Sequence, residues 1–300
     1  MQAHSMSVRH QRAACGVLTA LGQEEPKAAE LLTSSTVLTA VARAMEVHTH
    51  DAALQRSACR ALTSLLACGS AGWDHHRGSS APALSVGEQG ALAAARSGAL
   101  AATVGAMRRH ESDGPLQEVA CQALVQMASG GAKSRLAVVA AGGAVVAVAA
   151  ISRHAGNAAV GRAGCRAIAC IARGRAALLS EPDVAGKHAV IDAGAPSTLV
   201  GVMDIALGEA SQALLSLAFG KNAQRDAVLS VSGVCSAIVA AMTAHVQDAQ
   251  LQSDCCGALR LFSNASGASA RLVASAGGVA AVIAAMSNHP DNDDVQVDAT

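Results

Sequence analysis

Met107 is followed by His110, Asp113, Leu116, Gln117, Ala120, Cys121, Ala123 and Leu124. The same order returns at Met45, His48, Asp51, Leu54, Gln55, Ala58, Cys59, Ala61 and Leu62. It returns again at Met242, His245, Asp248, Leu251, Gln252, Cys255, Cys256, Ala258 and Leu259, with a cysteine in place of the first alanine. Chance does not produce this, so the chain is a repeat array, and any fold must be built from units that bury their apolar faces on one another. Partial copies fill the intervals: Ile151, His154, Val160, Cys165, Ala167 and Ile168, then Met203, Ala210, Ser211, Ala213 and Leu214. Met1, His4, Gln11, Ala14, Cys15 and Leu18 begin the series, and Met286, His289, Val295 and Gln296 end it.

From Met1 through Met45, Met107, Ile151, Met203 and Met242 to Met286, the first positions are 44, 62, 44, 52, 39 and 44 residues apart. The unit is therefore 44 residues, with two insertions and one deletion. This divides the chain into a partial repeat at 1–22, repeats at 23–68, 89–129, 130–173, 174–219 and 220–264, and a partial repeat at 265–300. A loop insertion rich in Gly and Ser occupies 69–88 and holds Trp73, Asp74, His75, His76 and Arg77. A shorter insertion is expected near Arg173 to Lys187, and the deletion removes most of the link between Met203 and Ser211. Since the series starts and stops inside a repeat, the chain is expected to be a fragment, a truncated gene product or an array without caps.

Each unit is expected to hold three helices. A short one such as KSRLAVVAA ends at a Gly pair, Gly142 and Gly143, which suits a helix C-terminus. A second runs from Ala144 to about Ile151, and a third from Leu116 to Ala128. In the third, Leu116, Ala120, Cys121, Leu124 and Met127 fall on one helical stripe. With 51% hydrophobic residues and 1% aromatic, the core must be made of small and aliphatic side chains.

The "AGG…V…AM" entry to the second helix and the third helix LQEVACQALVQMA resemble armadillo repeats over essentially the whole chain. The resemblance implies an all-α, armadillo-type α-solenoid, a right-handed superhelix whose third helices line a concave groove for peptides or partner domains. Import adaptors of this family carry an Asn in the third helix; the matching residues are Ala20, Ser64, Gln126, Cys170, Ser216 and Leu261. Their Trp, one turn earlier, is replaced by Gly16, Arg60, Gln122, Arg166, Gln212 and Gly257. Import-signal recognition is therefore not expected. A further turn back stand Arg12, Arg56, Glu118, Arg162, Gly208 and Ser253. The groove expected on this register is Arg12, Arg56, Arg60, Ser64, Glu118, Gln122, Gln126, Arg162, Arg166, Gln212 and Ser216. Its charged members are five arginines against one glutamate, which favours acidic segments through forked Arg–carboxylate pairs.

Other chemistry finds little support. Lys and Arg total 22, as do Asp and Glu, so no global field recruits nucleic acid or an anionic membrane. The few aromatics leave no stacking platform for single strands. The run Leu136 to Ile151 is short for a membrane span and recurs, interrupted, at Leu272 to Met286. The recurring histidines share one register position a repeat apart, too distant to share a metal ion. Cys15, Cys59, Cys121, Cys165 and Cys256 share another, on the apolar stripe, and read as small core residues. No phosphate-binding, zinc-protease or nucleophile-elbow motif occurs. The sequence thus points to a non-catalytic scaffold or adaptor without a cofactor or metal. It is expected to bind protein or peptide as a monomer in the cytoplasm or nucleus. The alternative is the regulatory or targeting array of a larger enzyme, a kinase or ubiquitin ligase.

Overall fold

A computed structural model describes residues 7–24, 35–67, 86–173 and 181–299. The Trp73 loop, Met1 and His4 lie outside the described residues, as do 174–180 of the second insertion. Two compact units make up the chain, Met1–His154 and Ala155–Thr300. All eighteen described elements are helices.

In the first unit these are α1 (Val8–Glu24), α2 (Ser35–Val47), α3 (Ala52–Ala67), α4 (Val86–Arg96), α5 (Ala99–Arg109), α6 (Gly114–Ser129), α7 (Ala132–Ala140) and α8 (Gly143–Arg153). The second unit holds α9 (Ala158–Ile171), α10 (Glu181–Asp192), α11 (Ala195–Gly201), α12 (Leu207–Ala218), α13 (Asn222–Leu229), α14 (Val234–Ala244), α15 (Ala249–Ser263), α16 (Gly267–Ser275), α17 (Gly278–Asn288) and α18 (Asp293–Ala299). Like packs on like. Third helices stack α1 on α3 on α6 in the first unit, and α9 on α12 on α15 on α18 in the second. Second helices stack α2 on α5 on α8, and α11 on α14 on α17. The stripe expected on α6 is the core: Leu116, Ala120, Cys121, Leu124 and Met127 are all buried. Each large aliphatic side chain so buried contributes about 1.5–3 kcal/mol, and alanines such as Ala58 and Ala120 let the third helices approach closely.

The repeated motif closes the corner between second and third helices. His110 ends α5, its N–H bonded to the carbonyl of Ala106. Asp113 starts α6, its Oδ1 accepting from the Leu116 N–H at 3.0 Å. Gln117 lies buried behind the corner and its Nε2 donates to the carbonyls of Met107 and His110, both at 2.9 Å. The Met107 carbonyl lies in the last turn of α5, where the helix offers no N–H, and that of His110 otherwise accepts only from the Asp113 N–H at 3.0 Å, so the glutamine supplies donors that the helix end lacks. Gln55, Gln252 and Gln296 make the same two bonds in their own repeats. The histidines then tie one repeat to the next. His110 Nε2 donates to the Thr49 carbonyl at 2.7 Å, His154 to that of Glu111 at 2.8 Å and His289 to that of Val246 at 2.8 Å. A carbonyl only accepts, so Nε2 carries the proton in each case.

The glycine pair has two separate jobs. Gly142 takes φ 85° at the turn between α7 and α8, and Gly277 takes φ 86° at the matching turn. Gly143 and Gly278 serve close packing: a Cβ on Gly143 would stand 2.5 Å from Val138 Cγ1 and 2.9 Å from the Val138 carbonyl oxygen, and one on Gly278 would meet Val273 likewise. The apolar run from Leu136 is therefore broken into α7 and α8, bent by 67°. No single described helix is long and apolar enough to cross a membrane. The short insertion ends earlier than expected, since its last residues, from Glu181, already form the first helix α10. At the deletion, α11 is cut to seven residues and α12 follows Ala206, which offers it no side-chain cap.

Candidate protein-binding surface

Third helices carry the expected binding residues, and the structure sorts these into open, engaged and buried. On the first unit Arg12 and Arg60 are exposed. Arg56 shares the register position of Arg12, its Nε 3.8 Å from Asp113 Oδ2. The carboxylate that caps α6 thus also tethers the arginine of the repeat before it. At that distance, and more than a third exposed, the pair adds only a few tenths of a kcal/mol. Glu118 accepts from Gln122 Nε2 at 3.2 Å, one turn along α6. Gln126 is half-buried, and its carbonyl takes the Ser129 hydroxyl. Ser64 is not open surface: it is buried, its Cβ and backbone 3.0–3.1 Å from where a Cβ on Gly22 of α1 would lie. The register placed Ser64 in the groove, but the close approach of α1 to α3 closes over it.

On the second unit Arg162 and Arg166 are exposed, one turn apart on α9. Gln212 is half-buried, and its carbonyl accepts from the Ser216 hydroxyl at 2.9 Å. The Ser216 carbonyl in turn accepts from Lys187 Nζ at 2.5 Å. Among the described residues no carboxylate lies within ion-pair distance of Arg12, Arg60, Arg162 or Arg166. Two arginines at i and i+4 repel by about 0.2–0.5 kcal/mol. A carboxylate ligand laid across them would turn that repulsion into attraction.

Two groups went unremarked in the sequence. Lys187 on α10 is fully buried and bonds the carbonyls of Ala172 and Ser216, at the ends of two third helices. Arg225 on α13 does similar work, its Nε donating to the Ala218 carbonyl at 2.7 Å. Asp254 on α15 is also buried; it accepts from Gln250 Nε2 at 3.1 Å and lies near Asp298 and Asp248. Burial first, then those two carboxylates, raise its carboxyl from 3.8 to about 6.

The folded chain thus favours protonated Asp254. This stability is fully present below 3.8 and is lost as pH rises through 6. Asp254→Asn is expected to raise unfolding free energy by about 1–3 kcal/mol at neutral pH and to change little near pH 4. Urea unfolding at the two pH values checks this; equal effects at both would contradict it.

Cysteines on the apolar stripe are free thiols and buried. Burial pushes Cys59 and Cys165 up to about 12 and Cys15 to about 11. Thiols held so far from ionisation are poor nucleophiles at neutral pH. Among the described residues no three His, Cys, Asp or Glu side chains converge on a metal-sized site.

No protein-family model and no curated protein matches the sequence. Solved structures do match. The crystal structure of an engineered protein from the Northeast Structural Genomics Consortium is similar with a TM-score of 0.77 and 21% identity, covering 98% of this chain. The chain spans 63% of the length of that protein. A designed armadillo repeat protein in complex with the peptide (KR)4 is similar with a TM-score of 0.68 and 20% identity, over 87% of this chain and 96% of that one. A second designed armadillo repeat protein matches equally well. At this level of identity the likeness is one of fold: the chain has an armadillo-like repeat fold.

Proposed function

We propose that this armadillo-like array is a non-catalytic protein-binding scaffold that takes acidic, extended segments on its third helices. The observation that carries the reading is the set of exposed arginines, Arg12, Arg60, Arg162 and Arg166, that no described carboxylate neutralises. Arg56 joins them when a ligand carboxylate displaces the long contact to Asp113. Gln122 and Gln212 share the register row of Arg60 and Arg166 and suit main-chain groups of a bound segment. The designed armadillo protein that resembles this chain was solved with a peptide of alternating Lys and Arg. Here the third helices themselves carry the positive charge, so the complementary ligand is acidic.

Each exposed Arg–carboxylate pair contributes little alone, about 0–1 kcal/mol, so affinity must come from several at once and must fall with salt. Work in the cytoplasm or nucleus fits the free, buried thiols, which suit a reducing compartment. Titration of a fluorescent Glu-rich peptide, with (KR)4 as control, tests the reading. The Glu-rich peptide is expected to bind, more weakly as salt rises. Arg12, Arg60, Arg162 and Arg166 changed together to Glu should weaken it at least about tenfold, roughly 1.4 kcal/mol. Equal binding of both peptides, or no effect of the substitutions, would sink the proposal.

A further inference from the structure

Two helices, one in each unit, expose apolar stripes that the other repeats bury. On α17, Val279 and Ile283 are each 59% exposed. Their register counterparts in other second helices are Leu38 and Ala42, Leu100 and Val104, and Ala144 and Val148, all buried, and Pro196 and Val200, and Cys235 and Val239, of which the first is buried and the second half-buried in each pair. On α1, Val17 is 59% and Leu21 39% exposed. Ala61 and Leu65, Ala123 and Met127, Ala167 and Ile171, Ala213 and Leu217, and Ala258 and Phe262 fill the same two positions in other third helices, all buried. Both positions therefore serve helix packing elsewhere in the array, and in α1 and α17 no described residue covers them.

The two stripes match each other. Each pairs two aliphatic residues one turn apart with small exposed neighbours: Ala13, Gly16 and Ala20 on α1, Ala280 and Ala284 on α17. Small residues beside bulky ones let two helices interlock. The flanking charges are opposite. Arg9 and Arg12 are exposed at the start of α1, while Asp291, Asp293 and Asp294 are exposed just after α17. If the helices run antiparallel, with Val17 against Ile283 and Leu21 against Val279, Arg9 lies eight residues before Val17 and Asp291 eight after Ile283. That is about 12 Å along α1, at the rise of 1.5 Å per residue, and it brings the basic end of one helix to the acidic end of the other.

We propose that this chain associates head to tail with a second copy of itself, α1 of one copy docking antiparallel along α17 of the other. This replaces the monomer expected from the sequence. The interface is heterologous, so a pair of copies keeps one free α1 and one free α17 between them, and association continues as concentration rises. It rests on the apolar stripes rather than on the arginine row, although Arg12 of α1 lies at the edge of both.

Sedimentation of the full chain and two surface variants tests the proposal. The wild-type weight-average mass is expected to rise with concentration and to fall with salt. Val17→Glu and Ile283→Glu should each stay monomeric alone, with unchanged circular dichroism. Mixed, they should form a complex of two copies and no more, through the intact α17 of the first and the intact α1 of the second. A wild-type mass constant at the monomer value overturns the proposal. So does self-association of the Val17→Glu chain, which would mean that α17 pairs with α17, and so does a mixture that stays monomeric.

Discussion

Replacing Gln117 by Ala is expected to destabilise the first unit by about 3 kcal/mol, an unusually large effect for one neutral polar side chain. The residue is buried, and both donors of its amide go to carbonyls at the end of α5. Truncation leaves the Met107 carbonyl without its donor, at about 1–3 kcal/mol, and the His110 carbonyl with only the Asp113 N–H at 3.0 Å. Gln117→Glu separates bonding from packing. Ionised, it sets a carboxylate against two carbonyl oxygens and should destabilise more than Ala. Protonated, it can again donate one bond. Its deficit should therefore shrink in acid, and urea unfolding at neutral and acid pH reads the difference. If Gln117→Glu were tolerated equally at both, the donor role would be wrong. The matching Gln55 supports that role, because its Oε1 is buried with no partner while its Nε2 makes both bonds.

Gly143→Ala is expected to cost more than Gly142→Ala, although Gly142 has the left-handed backbone. At Gly142 an alanine meets about 1–2 kcal/mol of conformational strain, and the nearest atom to its Cβ is the mobile end of Arg108. At Gly143 the new Cβ meets Val138 Cγ1 at 2.5 Å and the Val138 carbonyl at 2.9 Å. Backbone cannot yield as a side chain can, so α7 must shift from α8, at about 2–3 kcal/mol. Val138→Ala would relieve the methyl contact and leave the carbonyl contact, so the double variant should recover only part of the loss. Thermal unfolding of the three variants checks the order; full recovery would show that the backbone approach is not limiting. Gly278→Ala should behave the same way against Val273.

Helix positions, the register and the buried stripe were readable in the sequence, because each depends on residues within one unit and recurs in several. The Met–His–Asp–Leu–Gln spacing was visible, but its cause was not. The recurrence of His110 says only that its copies stand too far apart to share a metal ion; the structure adds a bond to Thr49, one insertion and one repeat away. Tethers of that kind link positions with no fixed sequence distance. Arg56 to Asp113, Lys187 to Ala172 and Ser216, and the burial of Asp254 all belong to this class. Of the binding row, the register put Arg12, Arg60, Arg162 and Arg166 on open helix surface, where charge and exposure follow from helix phase alone. It misplaced Ser64, because the phase of α3 does not report how closely α1 approaches.

Capture of partners from cell lysate by the 300-residue chain, beside a variant with Arg12, Arg60, Arg162 and Arg166 changed to Glu, is the most direct measurement of whether those arginines bind acidic protein segments. Both proteins must give the same circular dichroism spectrum. The account predicts partners rich in acidic segments that bind the wild type and are lost from the variant. An unchanged set of partners would contradict it.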